Sequence, residues 1–110
     1  MTISRIAFVF VLAMGGYAQA QDYPVKAVRV IVPFPPGGPN DVAVRPVAPK
    51  LHELLGQPFV VDNRAGANGI IGSELVAKSP PDGYALLVIS SSFAINASTY
   101  AKLPFDPLRD

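Results

Sequence analysis

Residues 28–41 read VRVIVPFPPGGPND, and the change of character half-way along this stretch decides the fold. Val28–Pro33 (VRVIVP) is β-branched, with valine at every second position, which predicts a strand. Phe34–Asp41 is a proline- and glycine-rich passage that leads into a helical pattern, with Asn40 or Asp41 as cap candidates. A strand entering a glycine loop that opens a helix is the first half of a β-α-β unit.

Working outward, Val44, Val47, Ala48, Leu51 and Leu55 have helical spacing over Asp41–Leu55, and Gly56 supplies a stop with Pro58 just beyond. Pro46 and Pro49 lie inside this pattern. An interior proline costs about 3 kcal/mol through clash and a lost hydrogen bond, so one kinked helix is expected. Phe59–Asp62 (FVVD) predicts a second strand, and Gly69–Lys78 a second helix ended by Ser79-Pro80-Pro81. Asp82-Gly83 turns into a third strand at Ala85–Ile89, continuously apolar as in a strand covered on both faces. The order β-α-β-α-β predicts an α/β fold with a parallel sheet, strands ordered 2-1-3. Leu103-Pro104-Phe105-Asp106-Pro107 reads as an extended connector running away from the sheet.

The N-terminus bears on the compartment. Arg5 gives a positive start, Ile6–Met14 is unbroken apolar sequence, and Ala18-Gln19-Ala20 is an A-x-A cleavage pattern. That order predicts a secretory signal peptide over residues 1–20. The run is shorter than the roughly 20 apolar residues of a spanning helix, so no direct membrane insertion is expected after cleavage. Arg5 is the only charged side chain before Gln21, so the remainder carries eight basic and eight acidic groups. This balance points away from a nucleic-acid partner and from a polybasic membrane patch. There is no cysteine and one histidine, His52, which excludes thiol chemistry and a multi-histidine metal site. A chain of this size buries about 60–70% of its unfolded surface. With no disulfide to help, it is expected to need more protein.

Three loops follow the three strands. Pro33–Asp41 offers a stiffened glycine turn whose backbone N–H groups, at a helix N-terminus, suit an anion; a rigid turn with a capping Asp explains the same residues. Arg64–Gly72 carries Gly66, Gly69 and Gly72, but as G-x-x-G-x-x-G, without the acidic residue that would hold a ribose. It is a second donor loop, with helix–sheet packing as the plainer use of Gly72. Ser90–Asn96 supplies hydroxyls and an amide as uncharged donors. In a 2-1-3 sheet the loops after the first and third strands flank the point where strand order reverses, where ligands bind. No nucleophile–base pair accompanies them. Arg29 and Arg64 are possible ligand partners, although single arginines more often form surface ion pairs. The alternatives are an exported nucleotide- or phosphate-binding enzyme domain using Gly66–Gly72, or a remnant without function.

Tyr23-Pro24, VRVIVPFPPGGPND, LGQPFVVDNRAGANGIIG, VAKSPPDGY and INASTYAKLPFDP, in this order and spacing, resemble the Bug-type periplasmic receptors of tripartite tricarboxylate transporters. The resemblance implies the first lobe of a two-lobed type II periplasmic binding protein, incomplete here. Residues 21–103 would belong to that lobe, and 104–110 would lead towards a second lobe that the chain is expected to lack. It further implies a small carboxylate ligand, delivery to membrane permease subunits, no cofactor, no metal and no catalysis. Ligand contacts would come from Phe34, Pro36, Gly37, Gly38 and Asp41, from Asn68 and Gly69, and from Ser90, Ser91, Ser92 and Asn96. Asn68 stands where the family often has glycine.

Overall fold

A computed structural model describes residues 22–110; the expected signal peptide lies outside the described residues. Strands β1 (Val28–Val32), β2 (Phe59–Asn63) and β3 (Ala85–Leu87) form one parallel sheet in the order β2-β1-β3. Val28 faces Phe59 in the register, and Arg29 lies between Val60 and Ala85. The expected order of strands and their parallel sense are therefore both present.

The expected kinked helix is two helices, α1 (Pro39–Val44) and α2 (Val47–Leu55). Pro46, which has no N–H to donate, occupies the break, and Pro49 falls in the first turn of α2, where an N–H has no acceptor within the helix. Gly56 ends α2 in the left-handed conformation, φ +78°. The third helix, α3, spans Ile70–Ala77 and is preceded by a short 3-10 turn, Ala67–Gly69. A fourth, α4 (Ser91–Thr99), occupies the segment expected to be a loop. Ser90 stands at its cap position, a start signal that the run of three serines obscured.

Val28, Val30, Ala48 and Phe59 form the core between the sheet and α2, with Val44, Leu51, Val61, Tyr84 and Val88 packed around it. Ile31 is fully buried, whereas Val60 and Leu86 stay exposed, so the sheet is only partly covered. The segment before β1 is tied to the β3 turn: the Val25 N–H donates to the Tyr84 hydroxyl at 2.9 Å, and Tyr23 donates to the Gly83 carbonyl. The terminal segment turns back instead of running away. Phe105 stacks on Phe93 of α4, ring centroids 5.9 Å apart, because an aromatic ring recovers more free energy against another ring than in water.

Candidate functional site

Pro35–Gly38 makes the turn that shapes the first loop. Pro36 sets φ at the second position and Gly37, at φ +84°, supplies the third, the residue pattern of a type II turn. The Gly38 N–H closes it onto the Pro35 carbonyl at 3.3 Å. Helix α1 then begins at Pro39 with Gly38 at its cap position, ahead of both expected caps, Asn40 and Asp41, and no side chain caps it directly.

Asp41 lies in the first turn of α1 with only 2% of its surface exposed. Its carboxylate accepts from the Gly37 N–H at 2.9 Å, from Arg45 Nε at 2.7 Å and from Asn63 Nδ2 at 3.0 Å. These donors, Arg45 foremost, hold its pKa at about 2. Asn63 also donates to the Phe34 carbonyl at 3.1 Å, and Arg45 reaches the Asn63 amide oxygen at 3.0 Å. The group expected to cap a helix or meet a ligand thus fastens the loop to the end of β2.

This fastening changes what the loop presents. The Gly37 and Gly38 N–H groups are both engaged, and Pro35, Pro36 and Pro39 have none. The expected row of free backbone donors is therefore reduced, for the physical reason that the turn consumes its own amides. The Asn40 and Asp41 N–H groups, in the first turn of α1, stay free, and one side chain adds to them. Asn40 Nδ2 is the one buried side-chain polar atom without a hydrogen-bond partner among the described residues. A buried donor left unmet costs about 1–3 kcal/mol. Asn40 lines an open cavity of about 280 Å³ with Phe34, Pro35, Gly38, Pro39 and Ser90. Read only as a cap candidate in the sequence, it had a signal that caps and ligand donors share.

The loop after β2 is built differently. Gly66, Ala67, Asn68 and Gly69 all have positive φ. Asn tolerates the left-handed region better than most residues, which suits Asn68 (φ 53°, ψ 40°) to a place often held by glycine. A Cβ on Gly69 would lie 3.2 Å from the Phe34 ring, and one on Gly72 would lie 2.6 Å from Pro33 Cβ. Gly72 thus serves close packing of α3 on β1, its plainer use. Asn68 Nδ2 donates to Asn96 Oδ1, and Asn96 Nδ2 donates to the Asn68 carbonyl, each at 2.9 Å.

After β3, Ser90 and Ser91 are exposed and Ser92 is half-buried, with the Ser90 and Ser92 hydroxyls 3.0 Å apart. Phe34, Gly69, Ser90, Ser92 and Asn96 meet around a gap of about 10 Å³, room for a single water at most. The three loops do converge at the carboxyl ends of the strands; Pro36 and Gly37 stand exposed at the outer tip of the first. Arg29 and Arg64 both bind Asp62, at 2.8 and 3.0 Å, and their bonds lower its pKa. A groove of about 480 Å³ between α2 and β2, lined by Arg45, His52 and Phe59 among others, shares no residue with these loops. Among the described residues no cluster of His, Cys, Asp or Glu could hold a metal ion, and no helix is long and apolar enough to cross a membrane.

The profile of the tripartite tricarboxylate transporter family receptor matches residues 43–110. The chain belongs to that receptor family. Among curated relatives, protein BugT of Bordetella pertussis is 45% identical over 105 residues, covering 94% of this chain and 32% of BugT. An R. palustris protein solved with adipate superposes with a TM-score of 0.76 at 39% identity, over 81% of this chain and 30% of that one. The periplasmic binding protein BugD superposes with a TM-score of 0.73, also at 39% identity, over 77% and 28%. The chain therefore spans about a third of the length of the receptors it matches, and its sheet with flanking helices is part of a periplasmic binding-protein fold. The family is one of receptors, not enzymes.

Proposed function

We propose that this receptor segment forms one wall of a reversible binding site for a small carboxylate, in a protein that delivers the acid to a tripartite transporter permease. The observation that carries the reading is the cavity wall bounded by Phe34–Asn40 and Ser90. It sets the unpartnered Asn40 amide and the Ser90 hydroxyl beside an apolar floor of Phe34, Pro35 and Pro39. Neutral donors to a carboxylate form charge-assisted hydrogen bonds, and the apolar floor suits the carbon chain of an acid. The adipate with which one relative was solved is an acid of this kind.

Residues 1–20 would direct export to the periplasm. Residues 21–103 would belong to the first lobe, with 104–110 the passage towards a second that closes the site. Gly37, Gly38 and Asp41 shape the wall, whereas Phe34, Asn40 and Ser90–Ser92 meet the ligand. The nucleotide-binding alternative loses its ground, since Gly66 and Gly72 are closely packed against Ile71 and Pro33.

The test joins residues 22–110 to the remaining two thirds of the adipate-bound relative and titrates the product calorimetrically with succinate, adipate, citrate and amino acids. Binding of at least one carboxylate is expected, weakened about tenfold or more by Asn40→Asp, which replaces a donor by a like charge. Silence across the panel would sink the reading.

A further inference from the structure

The strongest feature that the binding-wall reading leaves unused is the reciprocal amide pair between Asn68 and Asn96. Each side chain donates to the other residue: Asn68 Nδ2 to the Asn96 side-chain oxygen, Asn96 Nδ2 to the Asn68 backbone carbonyl, both at 2.9 Å. Asn96 is 5% exposed, so its amide is committed to this pair and shielded from solvent. The pair joins the 3-10 turn to the middle of α4, and that turn is the element against which α4 mainly packs. The apolar Ile95 of the same helix is more than half exposed, so α4 has little other attachment on that side. At its other end α4 begins with Ser91 and Ser92, beside the wall formed by Phe34 and Ser90.

From this arrangement we infer that Asn68 and Asn96 are positioning residues: their clasp fixes where the first turn of α4 stands across from the Phe34–Asn40 loop, and so sets which length of acid the wall accepts. The inference rests on the carboxylate-receptor reading and assigns these two residues to cleft geometry instead of direct ligand contact. The carbonyl of Asn68 reaches Asn96 because the 3-10 turn keeps Asn68 left-handed. The Ser73 hydroxyl holds the next carbonyl, that of Gly69, at 2.8 Å. Turn and helix are thereby locked as one unit.

The experiment uses two variants, in the full chain and in the two-lobed chimera. Asn96→Asp keeps the shape but removes the donor to the Asn68 carbonyl. Asn68→Gly keeps the left-handed turn without strain and removes only the side-chain bond. Amide hydrogen exchange over Ser91–Tyr100 is expected to accelerate about tenfold or more, with exchange of the β1 amides unchanged. In titrations of the chimera, the ratio of succinate to adipate affinity is expected to change about three- to tenfold, on the scale of one hydrogen bond. A merely structural pair would weaken both acids alike and leave that ratio fixed. Unchanged exchange in α4, or an unchanged ratio with both acids bound, overturns the inference. If the unaltered chimera is silent across the whole panel, the receptor reading fails instead, and the exchange arm alone decides the clasp.

Discussion

Replacing Gly72 by alanine sets two effects of known size against each other. Gly72 lies inside α3, where alanine is intrinsically favoured over glycine by about 0.8–1.0 kcal/mol, so helix propensity alone predicts stabilisation. The packing predicts the reverse. The new Cβ would stand 2.6 Å from Pro33 Cβ, 2.9 Å from Pro33 Cα and 3.0 Å from the Arg64 carbonyl oxygen. Ordinary carbon contacts lie at about 3.5–4.0 Å, so a gap of roughly 1 Å must open between α3 and the end of β1. Nothing there can yield cheaply: Pro33 is a fully buried ring, and two of the three atoms are backbone. Overpacking of this kind costs about 1–3 kcal/mol, and contact with backbone places it in the upper part of that range. The net expectation is a loss of about 1–2 kcal/mol, read as a lower urea midpoint at unchanged slope. Because Pro33 leads directly into Phe34, the same shift should disturb the binding wall. A neutral or stabilised Gly72→Ala protein would refute the claim that α3 is seated on β1 by the absence of a side chain.

Asp41 gives a pH-dependent counterpart. Its folded pKa of about 2 lies below the ordinary value, so its contribution is fully present above about pH 4 and is lost as pH falls towards 2. Asp41→Asn should therefore be less stable than the parent at neutral pH, and the difference in urea midpoints should shrink over that window. An equal difference at both ends would count against the staple. Phe105→Ala removes the stack on Phe93 and should cost about 0.5–1.5 kcal/mol, with faster proteolytic nicking after residue 100; unchanged nicking would show that the stack does not hold the terminal segment. Gly37→Ala meets no atom within 4 Å, so only its positive φ opposes it. About 1 kcal/mol of destabilisation is expected, with weaker carboxylate binding by the chimera because the turn must adjust; tighter binding would contradict the proposed turn.

Much of the fold was legible because periodicity and punctuation agreed. The alternation in Val28–Pro33, the glycine stop at Gly56 and the Asp82-Gly83 turn each placed an element within a residue or two. The prolines at 46 and 49 signalled a disturbance, and only packing settled that it is a break between two helices. Helix α4 escaped because serines at a cap and serines in a loop look alike, and its apolar residues make no sharp stripe. At the site, sequence located the three loops but could not apportion their polar groups. Asp41 and Asn40 are adjacent and equally able to cap; one is saturated by Arg45, Asn63 and Gly37, and the other is left with an unmet donor.

The sequence by itself determined what depends on neighbours along the chain: a parallel 2-1-3 sheet, glycine turns at the strand ends, and a motif set specific enough to indicate the receptor family. The tertiary structure alone decided which polar atoms stay unpaired, because that turns on partners far away in sequence. Asn63 lies 22 residues from Asp41, and Asn96 lies 28 from Asn68. A hydrogen-bond donor used once is no longer available. The loop at residues 33–41 was legible as a glycine turn leading into a helix, but only the folded chain showed that its Gly37 and Gly38 amides are spent within the turn and that the Asn40 side-chain amide is left without a partner.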